Sequence, residues 1–215
     1  MPLKVNEIFH SIQGESSYAG RPCVFVRLTG CNLRCFYCDT AYAYEDGQWL
    51  EIQDIKAQIR SFSCSLVEIT GGEPLLQEET PVLIRTLLDE GFAVLMETNG
   101  SRDIRLVDER CVRIMDVKLP GSGEDGSFLD ENLHHLTEKD EIKFVIADRR
   151  DYDYAKKILA SWANRRLNAA PPLFSAVHGR LALEELAGWI LADRLDVRLQ
   201  CQLHKVIWGA DKTDC

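Results

Sequence analysis

The sequence predicts an α/β fold, a mainly parallel sheet curved into an incomplete (β/α)6-type barrel, that is, a partial TIM barrel. Three observations predict it. Short apolar runs alternate with amphipathic segments along most of the chain, the signature of a parallel sheet with right-handed crossovers. The 215 residues fall short of the ~250 that a complete eight-fold barrel takes. With one cysteine-rich loop set aside, they suit about six βα units. Each polar motif also stands at or just after the carboxyl end of an apolar run, where such sheets place ligands. No Pro/Gly/Ser-rich linker or repeat divides the chain, so residues 1–215 are expected to form a single domain.

Composition narrows the class. Hydrophobic content of 46% and charged content of 27% are those of an ordinary globular protein. A net charge of −9 without a basic run disfavours nucleic acid as a partner. The opening MPLKVNEIFHS has no apolar core of signal-peptide length, and nothing later approaches a membrane span. No membrane partner is therefore expected. Cys23, Cys64, Cys111, Cys201 and Cys215 show no disulfide-framework spacing. A reducing, cytoplasmic location fits both facts.

Taken in order, Leu3 to Ile12 alternates loosely as a strand and ends in the polar turn Gln13-Gly14-Glu15-Ser16-Ser17. Cys23 to Leu28 (CVFVRL) is a buried strand with Arg27 its odd member. A buried arginine needs an anion, either an internal carboxylate such as Glu15 or the carboxylate of a substrate. Ile52 to Arg60 reads as a helix, and Ser65 to Thr70 (SLVEIT) as a strand running into Gly71-Gly72-Glu73-Pro74. Two glycines there allow a backbone to approach a ligand closely, although the same four residues also make a plain turn.

Glu78 to Glu90 is a helix by its Leu83/Leu87 and Ile84/Leu88 spacing, stopped by Gly91. Ala93 to Thr98 (AVLMET) and Val112 to Val117 (VRIMDV) are the next strands. Asp116 and Lys118 stand two apart and so share a face; they form either a surface ion pair or a ligand contact. Gly121 to Gly126 is a loop, and Glu141 to Ile146 (EIKFVI) is a strand. Asp151 is placed to cap a helix bearing Ala155, Ile158, Leu159 and Trp162 on one face. Leu173 to Val177 is strand-like and followed by His178. Leu183, Leu186, Ala187, Ile190 and Leu191 mark another helix, and Val197 to Gln202 the last strand, before His204, Lys205 and Trp208.

The most informative stretch is Gly30 to Thr40, GCNLRCFYCDT. Cys31, Cys35 and Cys38 put three thiols on one tight loop. A zinc site closed by protein alone takes four ligands. A cubane iron–sulfur cluster held by three cysteines leaves one iron open to a non-protein ligand. With Tyr37 before the last cysteine, and GGEP some thirty residues on, the chain resembles the radical S-adenosylmethionine (SAM) enzymes. In that superfamily SAM chelates the open iron of a 4Fe-4S cluster and is split to a radical by an electron from it.

The resemblance goes further. FHSIQGE, FVRLTGCNLRCFYCDT, EITGGEP, METNG, MDVKLPGSG and RLQCQLHKVIWG are similar to the 7-carboxy-7-deazaguanine synthases, from residue 9 to about 209. That family converts 6-carboxy-5,6,7,8-tetrahydropterin to 7-carboxy-7-deazaguanine with loss of ammonia, on the route to queuosine, and needs magnesium. The resemblance implies that Ile12, Gln13, Gly14, Glu15, Arg27 and Thr70 line the pterin. It implies that Tyr37, Cys38, Asp39, Gly72, Asp116, Val117, Lys118, Ser175, Ala176, Val177 and His178 hold SAM. Cys31, Cys35 and Cys38 would carry the 4Fe-4S cluster, and Thr40 would bind Mg2+. It also implies a homodimer and an electron donor such as flavodoxin or ferredoxin. Ser16 stands where a glycine often follows the QGE turn, and the tail GADKTDC ends in Cys215.

Two rival readings share part of the pattern. A glycyl-radical-enzyme activase would also need three cysteines and GGEP, but has no reason for QGE, Arg27 and the tail motif together. A non-catalytic iron–sulfur or zinc module would have no use for GGEP or the polar residues at strand ends.

Overall fold

The computed structural model describes residues 1–162 and 169–209. The chain opens with an antiparallel pair, β1 (Leu3–Ile12) and β2 (Pro22–Leu28). A three-residue strand, β3 (Gln48–Leu50), pairs with the other edge of β1; it is too short to give an alternation that sequence could show. There follow α1 (Ile52–Ser61), β4 (Leu66–Gly71), α2 (Thr80–Asp89), β5 (Ala93–Thr98), β6 (Val112–Asp116) and β7 (Glu141–Ile146). The remainder is α3 (Arg149–Trp162), β8 (Leu173–Ala176), α4 (Leu183–Asp193), β9 (Arg198–Gln200) and α5 (Leu203–Trp208).

The strands form one nine-stranded sheet in the order β3-β1-β2-β4-β5-β6-β7-β8-β9. Every pairing from β2 to β9 is parallel, and the two ends of the sheet do not meet. This is the expected partial barrel. Helices α1, α2, α3 and α4 occupy four of the crossovers, whereas β5–β6 and β6–β7 are joined by 3-10 turns at Ile104–Leu106, Pro120–Ser122 and Asp130–His135. Segments such as GSGEDG lack an apolar stripe to lay on the sheet, so no α-helix forms there.

Strand periodicity divides the interior in two. Val24, Val26, Val67, Ile69, Met96 and Phe144 face the helices and pack with Ile55, Leu83, Leu87 and Ala155. On the opposite face, Cys23, Leu66, Leu95, Val112 and Ile114 form a small apolar plug. The same strands continue from that plug into polar residues on the same face, Arg27, Glu68, Thr70, Glu97 and Asp116, which line a cavity. The plug thus forms the floor on which a polar chamber rests.

Two local expectations are corrected. Asp151 does not cap α3; it lies within the helix, fully buried, and its carboxylate accepts from the Gly121 and Ala147 N–H groups. Asp148 serves the helix start instead, its Oδ1 accepting the Asp151 N–H at 3.0 Å. The last strand is confined to Arg198–Gln200, because the chain turns at Cys201 into α5, whose six residues carry too short a pattern to read.

Candidate active site

A cavity of ≈ 240 Å³ opens at the carboxyl ends of the strands. Its walls include Ile12, Gln13, Gly14, Glu15, Arg27 and Thr70, together with Cys31, Cys35 and Cys38. Tyr37, Asp39, Thr40, Gly72, Asp116, Lys118, Val177 and His178 reach it as well. Val117, Ser175 and Ala176 do not wall it. Val117 is buried and donates its N–H to Lys143 O at 2.9 Å. Ser175 is buried, and among the described residues its hydroxyl has no partner. The tail beyond residue 209, including Cys215, lies outside the described residues.

The cysteine loop is pinned by its backbone and neighbours. Gly30 N donates to Ala43 O at 2.9 Å, Phe36 N to Ser122 O at 3.0 Å, and Tyr37 Oη to Val145 O at 3.1 Å. Burial pushes the Cys31 thiol up, and burial likewise pushes Cys35 to about 11 even though Lys118 opposes it. Thiols held this way favour a bound metal, which would offset the cost of deprotonation. Leu33 N–H donates to Cys31 Sγ at 3.4 Å. Among the described residues no three His, Cys, Asp or Glu side chains converge to chelate a single ion. A cubane asks for something else, one thiolate at each of three separate irons.

The GGEP turn is built against this loop. A Cβ on Gly72 would lie 2.1 Å from Gly30 O and 2.7 Å from Cys31 Cβ, so only glycine permits the approach. Glu73 N donates to Gly30 O at 2.8 Å. Its fully buried carboxylate accepts from Leu75 N–H, Thr98 Oγ1 at 2.8 Å and Asn99 N–H at 2.7 Å. Glu73 is therefore a fastener joining β4, β5 and the cysteine loop. Burial raises its pKa, against the pull of those hydrogen bonds.

Arg27 is paired with a carboxylate, and that carboxylate is Glu7 rather than Glu15. Its Nε donates to Glu7 Oε1, which also accepts from Tyr42 Oη at 3.0 Å. The guanidinium carbon lies 5.8 Å from the Phe9 ring centroid and 5.7 Å from that of Tyr42. Residue 7 neighbours residue 27 in the β1–β2 register, which only the structure reveals. Glu15 instead meets Lys143, Nζ to Oε2 at 2.8 Å.

Lys143 is the centre of a charged chamber that sequence reasoning missed. Its ammonium also contacts Glu97, and lies 3.8 Å from Asp116 Oδ2. Burial would lower its pKa, but these carboxylates hold it well above the usual lysine range. Glu15, pushed up by burial, is held at about 2 mainly by Lys143 and by the amides around it. Glu68 is driven well above the carboxylate range by burial and by Glu97; it accepts from Gln13 Nε2. The signal was present, as single charges inside the apolar runs SLVEIT, AVLMET and EIKFVI.

The last helix closes the mouth of the cavity. Leu203 N donates to Gly14 O at 2.9 Å, Gln202 Nε2 to Glu15 Oε1 at 2.9 Å, and Lys205 Nζ to Asp39 Oδ2 at 2.8 Å. A Cβ on Gly14 would meet His204 Nδ1 at 2.2 Å, so the QGE glycine is where the helix docks. Ser16, in the place of a glycine, adopts the left-handed backbone glycine favours, with φ of 63°. Its N–H donates to Gln200 Oε1 at 2.7 Å, which holds that conformation.

The donor set fits the cofactors that the cysteine spacing implies. Three thiols share one cavity with Gly72, whose missing side chain lets its backbone press against Gly30 and Cys31. Asp116 Oδ1, in the cavity wall, is buried without a partner among the described residues, and a ligand rich in hydroxyl and amino groups would satisfy it. Lys118 Nζ donates to Asp116 Oδ2 at 2.8 Å and keeps that carboxylate in place.

Comparison with known proteins agrees. Residues 25–165 match the family described as the radical SAM superfamily. The 7-carboxy-7-deazaguanine synthase of Koribacter versatilis is 45% identical over 220 residues, covering 96% of this chain and 97% of the relative. That of Chlorobaculum tepidum is 45% identical over 213 residues, covering 98% and 96%. The crystal structure of QueE from Escherichia coli matches with a TM-score of 0.77 over 95% of each chain, at 24% identity, a likeness of fold. The fold and the cysteine loop define a radical SAM protein, with a 4Fe-4S cluster and SAM as its cofactors. Within that superfamily the chain belongs to the 7-carboxy-7-deazaguanine synthases.

Proposed function

We propose that this chain is a lyase converting 6-carboxy-5,6,7,8-tetrahydropterin to 7-carboxy-7-deazaguanine with release of ammonia, in queuosine and other 7-deazapurine biosynthesis. The observation that carries the reading is Arg27. A cation suited to a carboxylate stands in the same cavity as the three cysteines. A glycyl-radical-enzyme activase needs no such grip, and its peptide would have to pass α5.

Cys31, Cys35 and Cys38 would hold the 4Fe-4S cluster. Tyr37, Cys38, Asp39, Gly72, Asp116, Lys118, Val177 and His178, which wall the cavity, would hold SAM by backbone and side-chain contacts, and Val117, Ser175 and Ala176 would shape the strand ends behind them. Together these cofactors supply the means of abstracting a hydrogen atom from an unactivated carbon. The chain's own part is positioning, where small misplacements are costly. Arg27 takes the substrate carboxylate, Thr70 stands beside it, and Ile12 to Glu15 form the wall against which the ring lies. Thr40 offers one oxygen to Mg2+, which would fix the substrate carboxylate; a hard cation that keeps most of its waters needs little more from the protein. Helix α5, latched to Glu15 and Asp39, keeps water out.

Residues 1–215 act as one domain in this reading, in the cytoplasm, without nucleic-acid or membrane partners. A flavodoxin or ferredoxin supplies electrons, and the working form is a homodimer. The test is Arg27→Ala. Reconstituted variant should keep its iron and its affinity for SAM while losing about 100-fold or more in affinity for the pterin, a charge-assisted pair being removed. Unchanged pterin affinity would overturn the substrate assignment.

A further inference from the structure

The three cysteine sulfurs differ in what the protein offers them. Cys35 Sγ meets no hydrogen-bond donor among the described residues, and Cys38 Sγ is met by the hydroxyls of Thr40, at 3.6 Å, and Tyr44. Cys31 Sγ is approached by N–H groups from two sides. Leu33 N–H reaches it at 3.4 Å from within the cysteine loop, and the carboxamide of Asn99 at 4.0 Å from the end of β5. The proposed function gives Asn99 no part, yet it is 6% exposed and borders the cavity.

Its neighbours fix the plane of that amide. The Asn99 backbone N–H donates to Glu73 Oε2 at 2.7 Å, and its Oδ1 accepts the Ser101 N–H at 2.9 Å. Because Oδ1 takes that donor, Nδ2 is the end that faces the cysteine loop. Nδ2 bears two hydrogens. One is directed at Asn32 Oδ1, 3.3 Å away, and Asn32 is itself tied to the Ser101 hydroxyl at 2.9 Å. The other is left for Cys31. A neutral thiol is a weak acceptor, and the separation is long. The thiolate of an iron-bound cysteine is a strong acceptor, and charge-assisted hydrogen bonds are shorter.

We infer that Asn99 is a positioning residue for the cluster, its carboxamide donating to Cys31 Sγ and raising the potential at which the cluster takes up its electron. Hydrogen bonds to cluster sulfurs are one means by which a protein sets that potential. A donor stabilises the reduced, more negative cluster more than the oxidised one, so losing the donor makes reduction harder. The chain of contacts Glu73–Asn99–Cys31 thereby ties the GGEP turn and the end of β5 to the cluster's electronics. The inference rests on the radical SAM cluster and not on the pterin, so it stands whichever substrate the cavity takes.

The test is a potentiometric titration of the anaerobic, iron-reconstituted full chain, the reduced cluster being counted by electron paramagnetic resonance. Asn99→Leu fills a similar space without a donor. At the wild-type midpoint its ratio of reduced to oxidised cluster should be about tenfold lower, a shift of about 59 mV for a one-electron couple. Asn99→Ser keeps an oxygen for the Ser101 N–H but is too short to reach Cys31, and should shift the same way. Only loaded clusters are counted, so a purely structural Asn99 would cost iron and leave the midpoint in place. An unchanged or raised midpoint in either variant would overturn the inference. Should neither variant hold a cluster, Asn32→Ala decides. Grown with isotopic nitrogen in its asparagine side chains, its reduced cluster should show a hyperfine coupling to that nitrogen, since Asn99 is then the asparagine in contact with Cys31. Absence of the coupling would overturn the inference. None of these readouts uses turnover, so a failure of the proposed function is read separately.

Discussion

The ammonium of Lys143 lies 2.8 Å from the carboxylate of Glu15, joining positions 128 residues apart in the chain. Lys143 belongs to β7 in the parallel part of the sheet, and Glu15 to the turn between the antiparallel strands at its edge. The pair therefore draws the edge turn inward over the chamber, and α5 docks on that turn. Site and closure are coupled through one buried charge.

Removing the cation should expose that coupling. Lys143→Met leaves Glu15 and Glu97 buried without a counter-charge, and breaking a buried pair from one side costs about 3–5 kcal/mol. Urea denaturation should show a loss of that size, and adding Glu15→Gln to the variant should restore part of it. A single variant as stable as wild type would show that the chamber is solvated.

Glu15 also gives the fold a pH dependence with a definite sign. Its carboxyl is held at about 2 in the folded protein, against an ordinary value of 4.5. Above 4.5 both states are ionised and the contribution is complete. Between 4.5 and 2 the unfolded chain takes up the proton first, so stability falls as pH falls. From pH 5.5 to 3.5, cluster-free wild type should lose about 1 kcal/mol more than cluster-free Glu15→Gln. Parallel stability curves for the two would show that Glu15 is not held ionised.

Gly14→Ala tests the docking of α5. The added methyl would stand 2.2 Å from His204 Nδ1 and 2.8 Å from the His204 backbone nitrogen. The helix must then lift, and limited proteolysis should cut near residues 201–209 several-fold faster than in wild type, with weaker pterin binding. Unaltered cleavage would mean that α5 tolerates the methyl without moving.

Gly72→Ala acts on the other side of the cavity, where the methyl would meet Gly30 O at 2.1 Å, a backbone atom that cannot swing aside. The cysteine loop would be displaced, and iron bound per chain after reconstitution should drop by half or more. Full iron loading would show that the loop adapts freely.

Much of the architecture was legible because the strands obey simple rules. SLVEIT, AVLMET and EIKFVI are apolar enough to be found, and each ends where a polar motif begins. The cysteine loop and GGEP were legible because their spacing has chemical meaning. The Arg27 partner was not, since Glu7 faces it only through β1–β2 register, and Glu15 was nearer in apparent role. The Lys143 chamber was not, because single charges in strands do not say which face or which neighbours they meet. Helix α5 carried too few residues for its period to show, and Asp151 lay one turn too deep for a cap, Asp148 taking that position.

The most direct measurement is anaerobic turnover of the reconstituted protein with reductant, SAM, Mg2+ and 6-carboxy-5,6,7,8-tetrahydropterin, followed by mass spectrometry and ammonia determination. The protein should give 7-carboxy-7-deazaguanine and ammonia in equal amounts, with SAM undiminished after many turnovers. Cleavage of SAM without that product would contradict the substrate, and protein carrying a full cluster that gives neither would contradict the enzyme.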